Sequence, residues 1–147
     1  MKISTKGRYG LRALTDMAMQ SQNEAISLVK VARRQHISLN YLEQVFATLR
    51  KAGIVKSQKG AQGGYLLAKK PEEIKVGDVL TALEGEFSII DDMDTDASFD
   101  AVRCAIRELV WDRINQSVNS YLEEYTLAEL IENHERLGRG NQWIYEI

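Results

Sequence analysis

Residues 54–68 limit the possible folds more than any other part of the chain. Residues 54–58 and 64–68 are short stretches rich in apolar and β-favouring side chains, and the turn between them contains Gly60 and Gly63. Glycine in a short polar connection between two such stretches is a hairpin signal. The pattern therefore predicts a small β-hairpin.

Three helical patterns precede the hairpin. Apolar residues recur at helical spacing over residues 7–22, then over a shorter stretch that Ser27 can cap, and again over residues 39–52, where Gly53 ends the pattern. Residues 36–39 interrupt the helical pattern between the second helix and the third. Three helices followed by a small hairpin predict a winged helix-turn-helix.

The second half of the chain predicts further helices around an acidic loop. Residues 76–83 form a helical pattern, whereas residues 84–100 contain seven acidic side chains and no basic one, which indicates an exposed loop. Apolar residues then recur over residues 102–125, roughly six helical turns. One small domain cannot cover so long a helix, so it is a candidate for pairing between subunits. Thr126 and Glu129 form a capping box that starts a last helix, which we expect to end near Gly138.

These elements divide the chain into three parts. We expect a mainly α fold with a small β-hairpin wing, in which residues 1–83 form the winged helix-turn-helix domain. Residues 84–100 are the acidic loop, and residues 101–147 hold the long dimerisation helix and a C-terminal helix. Apolar residues make up 44% of the chain and supply a core, and a single proline argues against disorder.

The formal net charge of −2 conceals a division between the two halves of the chain. Residues 1–70 carry 13 Lys and Arg against three Asp and Glu, a net charge of +10, whereas residues 71–147 carry six against 18, a net charge of −12. A basic helix-turn-helix is the electrostatic footprint of a DNA-binding surface. We therefore expect the first half to face DNA and the second half to lie away from the phosphates.

The sequence excludes several other classes of protein. No apolar run approaches the roughly 20 residues that span a bilayer, no secretory signal is recognisable at the N-terminus, and one cysteine cannot form an intrachain disulfide. We therefore expect a cytoplasmic protein that contacts no membrane. An enzyme is not expected, because the sequence offers no local Cys/His or Ser/His/Asp grouping and no phosphate-binding glycine motif of the Walker type.

The early residues of the third helix are the first candidates for DNA contact. The second helix of a helix-turn-helix enters the major groove, and its N-terminal residues reach base edges. Asn40 and Gln44 can pair with adenine, and Glu43 can accept a hydrogen bond from cytosine. Ser38 and Tyr41 can donate to phosphate, although Ser38 could equally be only a helix cap, and Glu43 could be only a solvated charge.

The hairpin and the first helix supply further candidates. The polar wing residues are Lys56, Lys59 and Gln62, and the neighbouring glycines let the backbone approach phosphates or a minor groove, although an ordinary solvated turn would look similar. Other side chains would anchor phosphates without reading sequence, which makes binding strongly dependent on salt. These anchoring candidates are Lys2, Thr5, Lys6, Arg8 and Arg50.

Four blocks of the sequence, residues 2–9, 37–44, 49–55 and 60–67, resemble the Rrf-two (Rrf2) family of bacterial transcription regulators. The resemblance implies a homodimer with two winged helices and a crossed pair of long helices, which binds a partly palindromic operator. By position it assigns DNA contacts to Ser38, Asn40, Glu43 and Gln44, and a wing contact to Lys59, where members that read DNA through the wing have arginine.

The resemblance also implies a sensor region in residues 84–100. The IscR-like members hold a [2Fe-2S] or [4Fe-4S] cluster with three cysteines, but here only Cys104 is present. By spacing, Ser98 and Asp92 stand at the other two cysteine positions, and Arg107 stands where a histidine ligand is common. We therefore expect no conventional iron-sulfur cluster and no other metal.

Two interpretations of the signal follow from the resemblance. The first is a repressor like the CymR subgroup, which regulates sulfur or cysteine genes and senses through a protein partner, cysteine synthase. The alternative is an IscR-like [2Fe-2S] regulator whose ligands are altered or substituted. Cys104 itself could be a small buried side chain on the long helix or a thiol that Arg103 and Arg107 activate for oxidation. The aromatic C-terminal residues 143–147 could contact a partner or pack on the dimer.

Overall fold

The computed structural model describes residues 3–20, 23–90 and 100–145, with side chains described as far as residue 140. Within these residues a short antiparallel hairpin follows three helices, and further helices make up the second half. The elements are α1 (Thr5–Gln20), α2 (Leu28–Gln35), α3 (Leu39–Lys51), β1 (Val55–Gln58), β2 (Gly64–Leu67), a 3-10 turn (Pro71–Glu73), α4 (Val76–Glu84), α5 (Ala101–Ile106), a π-helical turn (Arg107–Trp111), α6 (Asp112–Glu124) and α7 (Leu127–Tyr145).

Local signals set the ends of the helices in the first half. The Ser27 side chain accepts from the backbone N–H of Val29 at 3.3 Å, which caps α2, and His36 ends that helix in the left-handed region with a φ of 55°. Gly53 follows α3 with a φ of +77°. The predicted hairpin is confirmed, and its register pairs Val55 with Leu67.

The core of the winged helix comes from the inward faces of α1, α2 and α3. Its fully buried side chains include Leu14, Met17, Leu42, Phe46 and Leu49. Leu127, the first residue of α7, is buried in the same cluster. Its backbone N–H donates to the carbonyl of Ile74 at 2.8 Å, so the start of α7 is fixed to the winged helix.

A buried carboxylate joins α1 to α2. Asp16 is 3% exposed and accepts three hydrogen bonds from the Arg34 guanidinium, one from Nη2 to Oδ1 at 2.5 Å and one from Nε to each oxygen at 3.1 Å. Gln35 Nε2 donates to Asp16 Oδ2 at 2.6 Å. The hydrogen bond to Asp16 raises the pKa of Arg34 above its usual value. This network ties α1 to the last two residues of α2, immediately before the turn that leads into α3.

The long helix predicted over residues 102–125 is present, but it contains an irregularity that the sequence did not reveal. α5, the π-helical turn and α6 follow one another without a break from residue 101 to residue 124. Large apolar side chains on this helix are exposed, including Val102 at 68%, Leu109 at 62% and Tyr121 at 59%. A single chain therefore leaves much of the apolar surface of this helix in contact with water.

Three predicted boundaries need correction. α1 begins at Thr5 rather than Gly7, and Glu84 is the last residue of α4 rather than the first residue of a loop. The predicted end of the last helix near Gly138 is wrong, because α7 continues through Gly138 to Tyr145. Glycine ends a helix only where the chain turns into the left-handed region, and Gly138 is not among the residues with positive φ. Residues 85–90 are non-helical, and the rest of the acidic loop, residues 91–99, lies outside the described residues.

In the part of the chain that the structure describes, none of the helices combines the length and the apolar character needed to cross a bilayer.

Candidate nucleic-acid interface

The outward face of α3 carries the side chains that the sequence assigned to base reading. Asn40, Glu43 and Gln44 are all exposed, and their spacing places them on one face of the helix. The opposite face is buried through Leu42 and Val45, among others. Packing therefore leaves an amide, a carboxylate and a second amide facing solvent over the first two turns of the helix.

Ser38 caps α3. Its hydroxyl accepts from the backbone N–H of Tyr41 at 3.5 Å, while the residue itself remains exposed. The capping role that the sequence allowed is therefore present, and the hydroxyl also lies at the end of the helix that would enter a groove. Its role as a phosphate contact stays a prediction.

Tyr41 connects α3 to the start of α1. Its hydroxyl lies 3.3 Å from the Thr5 hydroxyl, and its ring meets the Tyr9 ring edge-on with 6.1 Å between centroids. The guanidinium of Arg8 lies 5.8 Å from the centroid of that Tyr9 ring. Three of the predicted contact residues, Thr5, Arg8 and Tyr41, are thus brought together at one junction.

The hairpin forms a second exposed region. Lys56, Lys59 and Gln62 are exposed, and the Gly63 N–H donates to the Gly60 carbonyl at 2.9 Å to close the turn. Gly60 has a φ of +113°, a conformation that favours glycine. Lys59 and Gln62 therefore lie on or beside a tight turn, whereas Lys56 lies within β1.

Two packing contacts hold the wing against the helices. The rings of Phe46 in α3 and Tyr65 in β2 lie 5.3 Å apart, and Tyr65 exchanges two backbone hydrogen bonds with Ile26, at 2.8 and 3.0 Å. A Cβ on Gly64 would lie 2.5 Å from the carbonyl carbon of Ile26, so this close approach requires glycine. These contacts hold the wing in place against α3 and the segment that precedes α2.

The remaining predicted contacts are distributed around this surface. Arg50 is exposed near the end of α3, and Lys6 is half-buried in the first turn of α1, while Lys2 lies outside the described residues. Sequence reasoning overlooked Arg12, which stacks 4.9 Å from the Tyr9 ring centroid and donates to the Gln35 carbonyl at 2.8 Å. Its position one helical turn after Arg8 was the available signal.

Residues 3–133 match the sequence profile of the Rrf2 family, described as iron-dependent transcriptional regulators. The chain belongs to the Rrf2 family. The regulator IscR of Serratia proteamaculans is 38% identical over 148 residues, covering 93% of this chain and 83% of that protein. The family membership that the four sequence blocks indicated is confirmed.

Solved structures of Rrf2 regulators share the fold. CymR, the global cysteine regulator of B. subtilis, superposes with a TM-score of 0.76 at 39% identity, covering 90% of this chain and 98% of that one. IscR of T. potens gives a TM-score of 0.75 at 40% identity, covering 93% and 90%. The winged helix-turn-helix prediction is confirmed, and so is the prediction of a DNA-binding transcription regulator rather than an enzyme.

The donor set does not suit the cysteine-ligated cluster that the Rrf2 resemblance suggests. Cys104, half-buried in α5, is the one thiol of the chain, and iron-sulfur clusters are held by several thiolates. Among residues 3–20, 23–90 and 100–140, no three His, Cys, Asp or Glu side chains come together as a metal site. Asp92 and Ser98, the residues that the resemblance places at the other cysteine positions, lie outside the described residues.

Asp100 at the start of α5 has a structural role. Its carboxylate accepts from the backbone N–H groups of Val102, at 2.9 Å, and Arg103, at 3.4 Å, which caps the helix. The Arg103 side chain also lies 3.7 Å from this carboxylate. The last acid of the predicted acidic loop is therefore part of the helix terminus that carries Cys104.

Replacing Ser38 should separate its capping role from its role at DNA. Ser38→Ala removes the acceptor for the Tyr41 N–H and should lower the free energy of unfolding by about 1 kcal/mol. Ser38→Asp keeps a cap acceptor and should preserve stability, but it should weaken DNA binding because it adds a negative charge beside the phosphates. Denaturant unfolding at fixed protein concentration and DNA titration measure the two effects. An alanine variant as stable as the unmodified protein would show that the cap is not formed.

Proposed function

We propose that this Rrf2 regulator is a homodimeric repressor that binds a partly palindromic operator upstream of sulfur, cysteine or iron-sulfur related genes. The observation that carries the proposal is the exposed polar face of α3, formed by Asn40, Glu43 and Gln44, within a half of the chain whose net charge is +10. Amide side chains recognise adenine and a carboxylate accepts from cytosine, so this face can discriminate between base pairs.

The surrounding contacts would position α3 in the major groove. Lys2, Thr5, Arg8 and Arg50 would anchor phosphates near α1 and the end of α3, and Lys56, Lys59 and Gln62 would do so from the wing. Such contacts supply affinity and register but no sequence information. Lysine at position 59 offers a point charge without the planar fork of arginine, so we expect this wing contact to be mainly electrostatic.

The long helix supports the homodimer. Val102, Ile106, Leu109 and Val110 are large, exposed apolar residues close together along the helix, and exposed patches of this kind mark association surfaces. A dimer built on this helix would place two recognition helices on the two halves of an operator, because a two-fold protein matches a palindromic site.

The proposed regulated genes follow from the relatives. CymR of B. subtilis is described as the global cysteine regulator of that organism, and its structure covers nearly the whole of this chain. Because one cysteine does not suit a conventional cluster, we propose that the signal arrives through a protein partner such as cysteine synthase. For Cys104 we favour a packing role over a redox role, since it is already half-buried in a single chain.

A second candidate is an IscR-like [2Fe-2S] regulator with altered ligands. It is supported by the relatives named IscR and by the description of the family as iron-dependent. It requires that the side chains of Asp92 and Ser98, which are not thiols, bind the cluster together with Cys104. It differs from the first candidate in the iron content of the native protein.

Two substitutions should distinguish base reading from phosphate anchoring. Asn40→Ala should weaken binding to the operator by about 1–3 kcal/mol and leave binding to random DNA nearly unchanged, because it removes a base contact. Lys56→Ala should weaken both equally and reduce the salt slope by about one. Fluorescence anisotropy with the protein's own upstream DNA, over a series of salt concentrations, measures both. A shallow slope and no preference over random DNA would contradict the proposed function.

The proposed dimer can be tested on its apolar face. Leu109→Glu puts a charge on the exposed surface of the long helix and should convert the dimer to a monomer with at least tenfold weaker operator binding, because desolvating an unpaired charge is costly. Gln116→Glu introduces the same side chain at an exposed polar position of α6 and should leave the dimer intact. Analytical ultracentrifugation measures both. An unmodified protein that is monomeric at micromolar concentration would refute the dimer.

A further inference from the structure

The carboxylate of Glu84 holds the start of α1, although the two are far apart in sequence. Glu84 Oε1 accepts from the Ser4 hydroxyl at 2.5 Å and from the backbone N–H of Gly7 at 2.8 Å. The Gly7 N–H is among the first N–H groups of α1, which have no partner within the helix. A carboxylate at this end also interacts favourably with the helix dipole. Glu84 therefore acts as a helix cap supplied by α4.

Gly7 makes this contact sterically feasible. A Cβ added at Gly7 would lie 2.5 Å from Glu84 Oε1 and 2.9 Å from Glu84 Cγ. The carboxylate is the end of a flexible side chain, so any larger residue at position 7 would displace it from the helix terminus. The hydrogen bond therefore requires both glycine at position 7 and the side chain of Glu84.

The turn of α1 that Glu84 holds is also the turn that touches the recognition helix. Thr5 lies between Ser4 and Gly7, and its hydroxyl is 3.3 Å from the Tyr41 hydroxyl in α3. The Tyr9 ring packs edge-on against Tyr41 one turn further along. A shift of the first turn of α1 would therefore move both a proposed phosphate anchor and the side chain that supports the start of α3.

We propose that Glu84 is a positioning residue for DNA binding, which fixes the first turn of α1 and through Thr5 and Tyr41 the recognition helix. This inference rests on the proposed function, since it assumes that α1 and α3 meet the operator. It assigns a favourable role in DNA binding to an acidic residue, which electrostatics alone would not do, because removing a negative charge generally strengthens binding to DNA.

Glu86 provides a matched control. It is an exposed glutamate two residues further along, and no hydrogen bond between its carboxylate and α1 is found among the described residues. Glu84→Ala and Glu86→Ala change the net charge equally. Electrostatics predicts the same small gain in affinity for both, whereas positioning predicts a loss for Glu84→Ala alone.

Operator titration of residues 1–147 with and without each substitution tests the inference. We expect Glu84→Ala to weaken binding about tenfold, equivalent to about 1.4 kcal/mol, and Glu86→Ala to bind within about twofold of the unmodified protein. Glu84→Gln should recover most of the affinity, because the amide oxygen can accept the same two hydrogen bonds. Hydrogen exchange at the Gly7 amide should be faster in the alanine variant than in the glutamine variant.

Gly7→Ala provides a second test, which does not alter Glu84 itself. Alanine favours helix more than glycine does, so a general loss of helical structure is not expected, yet the displaced carboxylate should weaken operator binding several-fold. If Glu84→Ala does not fold, the Gly7 variant decides the question.

The possible failures are distinguishable. If the unmodified protein does not prefer its operator, the proposed function fails. If the unmodified protein binds its operator while folded Glu84→Ala and Gly7→Ala variants bind as tightly as Glu86→Ala does, only the positioning role is overturned.

Discussion

The packing of α1 against α3 and α4 determines which side chains remain available for DNA. Leu42, Phe46 and Leu49 are withdrawn into the core, and the polar residues between them are left outside. The helices can approach closely because α1 has glycine at its contacts. A Cβ on Gly10 would lie 3.0 Å from Val45 Cγ1. The same contact brings the basic first turn of α1 beside the start of α3, so one packing arrangement positions both the face that we propose to read bases and its proposed anchors.

Much of the fold could be predicted because its signals are local. Ser27 and Ser38 cap helices through residues two or three positions away, and the predicted capping box is formed by the reciprocal hydrogen bonds of Thr126 and Glu129. The end of α3 at Gly53 and the turn of the hairpin depend only on the backbone conformation of a few neighbouring residues. These features involve neighbours in sequence, so a periodic pattern and a few residue types suffice to locate them.

The features that could not be predicted depend on distant partners. The sequence assigned Glu84 to an exposed acidic loop, because nothing near it indicates the hydrogen bonds to Ser4 and Gly7. The bridge between Ile26 and Tyr65 is likewise a tertiary contact. The apolar pattern does not change at the π-helical turn at Arg107–Trp111, nor does it show that α7 continues through Gly138. Neither feature could therefore be recognised from the sequence. The exposed residues of α3 were predicted from the sequence, but their base contacts remain proposals.

The charge division now has a structural counterpart, because the basic half, residues 1–70, contains α3 and the wing that we propose to meet DNA, whereas the acidic half, residues 71–147, contains α4 and the long helix. The central claim is that this surface binds an operator without a resident cluster. Iron and acid-labile sulfide, measured on anaerobically purified protein together with the operator affinity of the same sample, test that claim most directly. The account predicts specific binding by protein that lacks stoichiometric iron and sulfide. A cluster on every chain, with specific binding that disappears when the cluster is removed, would contradict it.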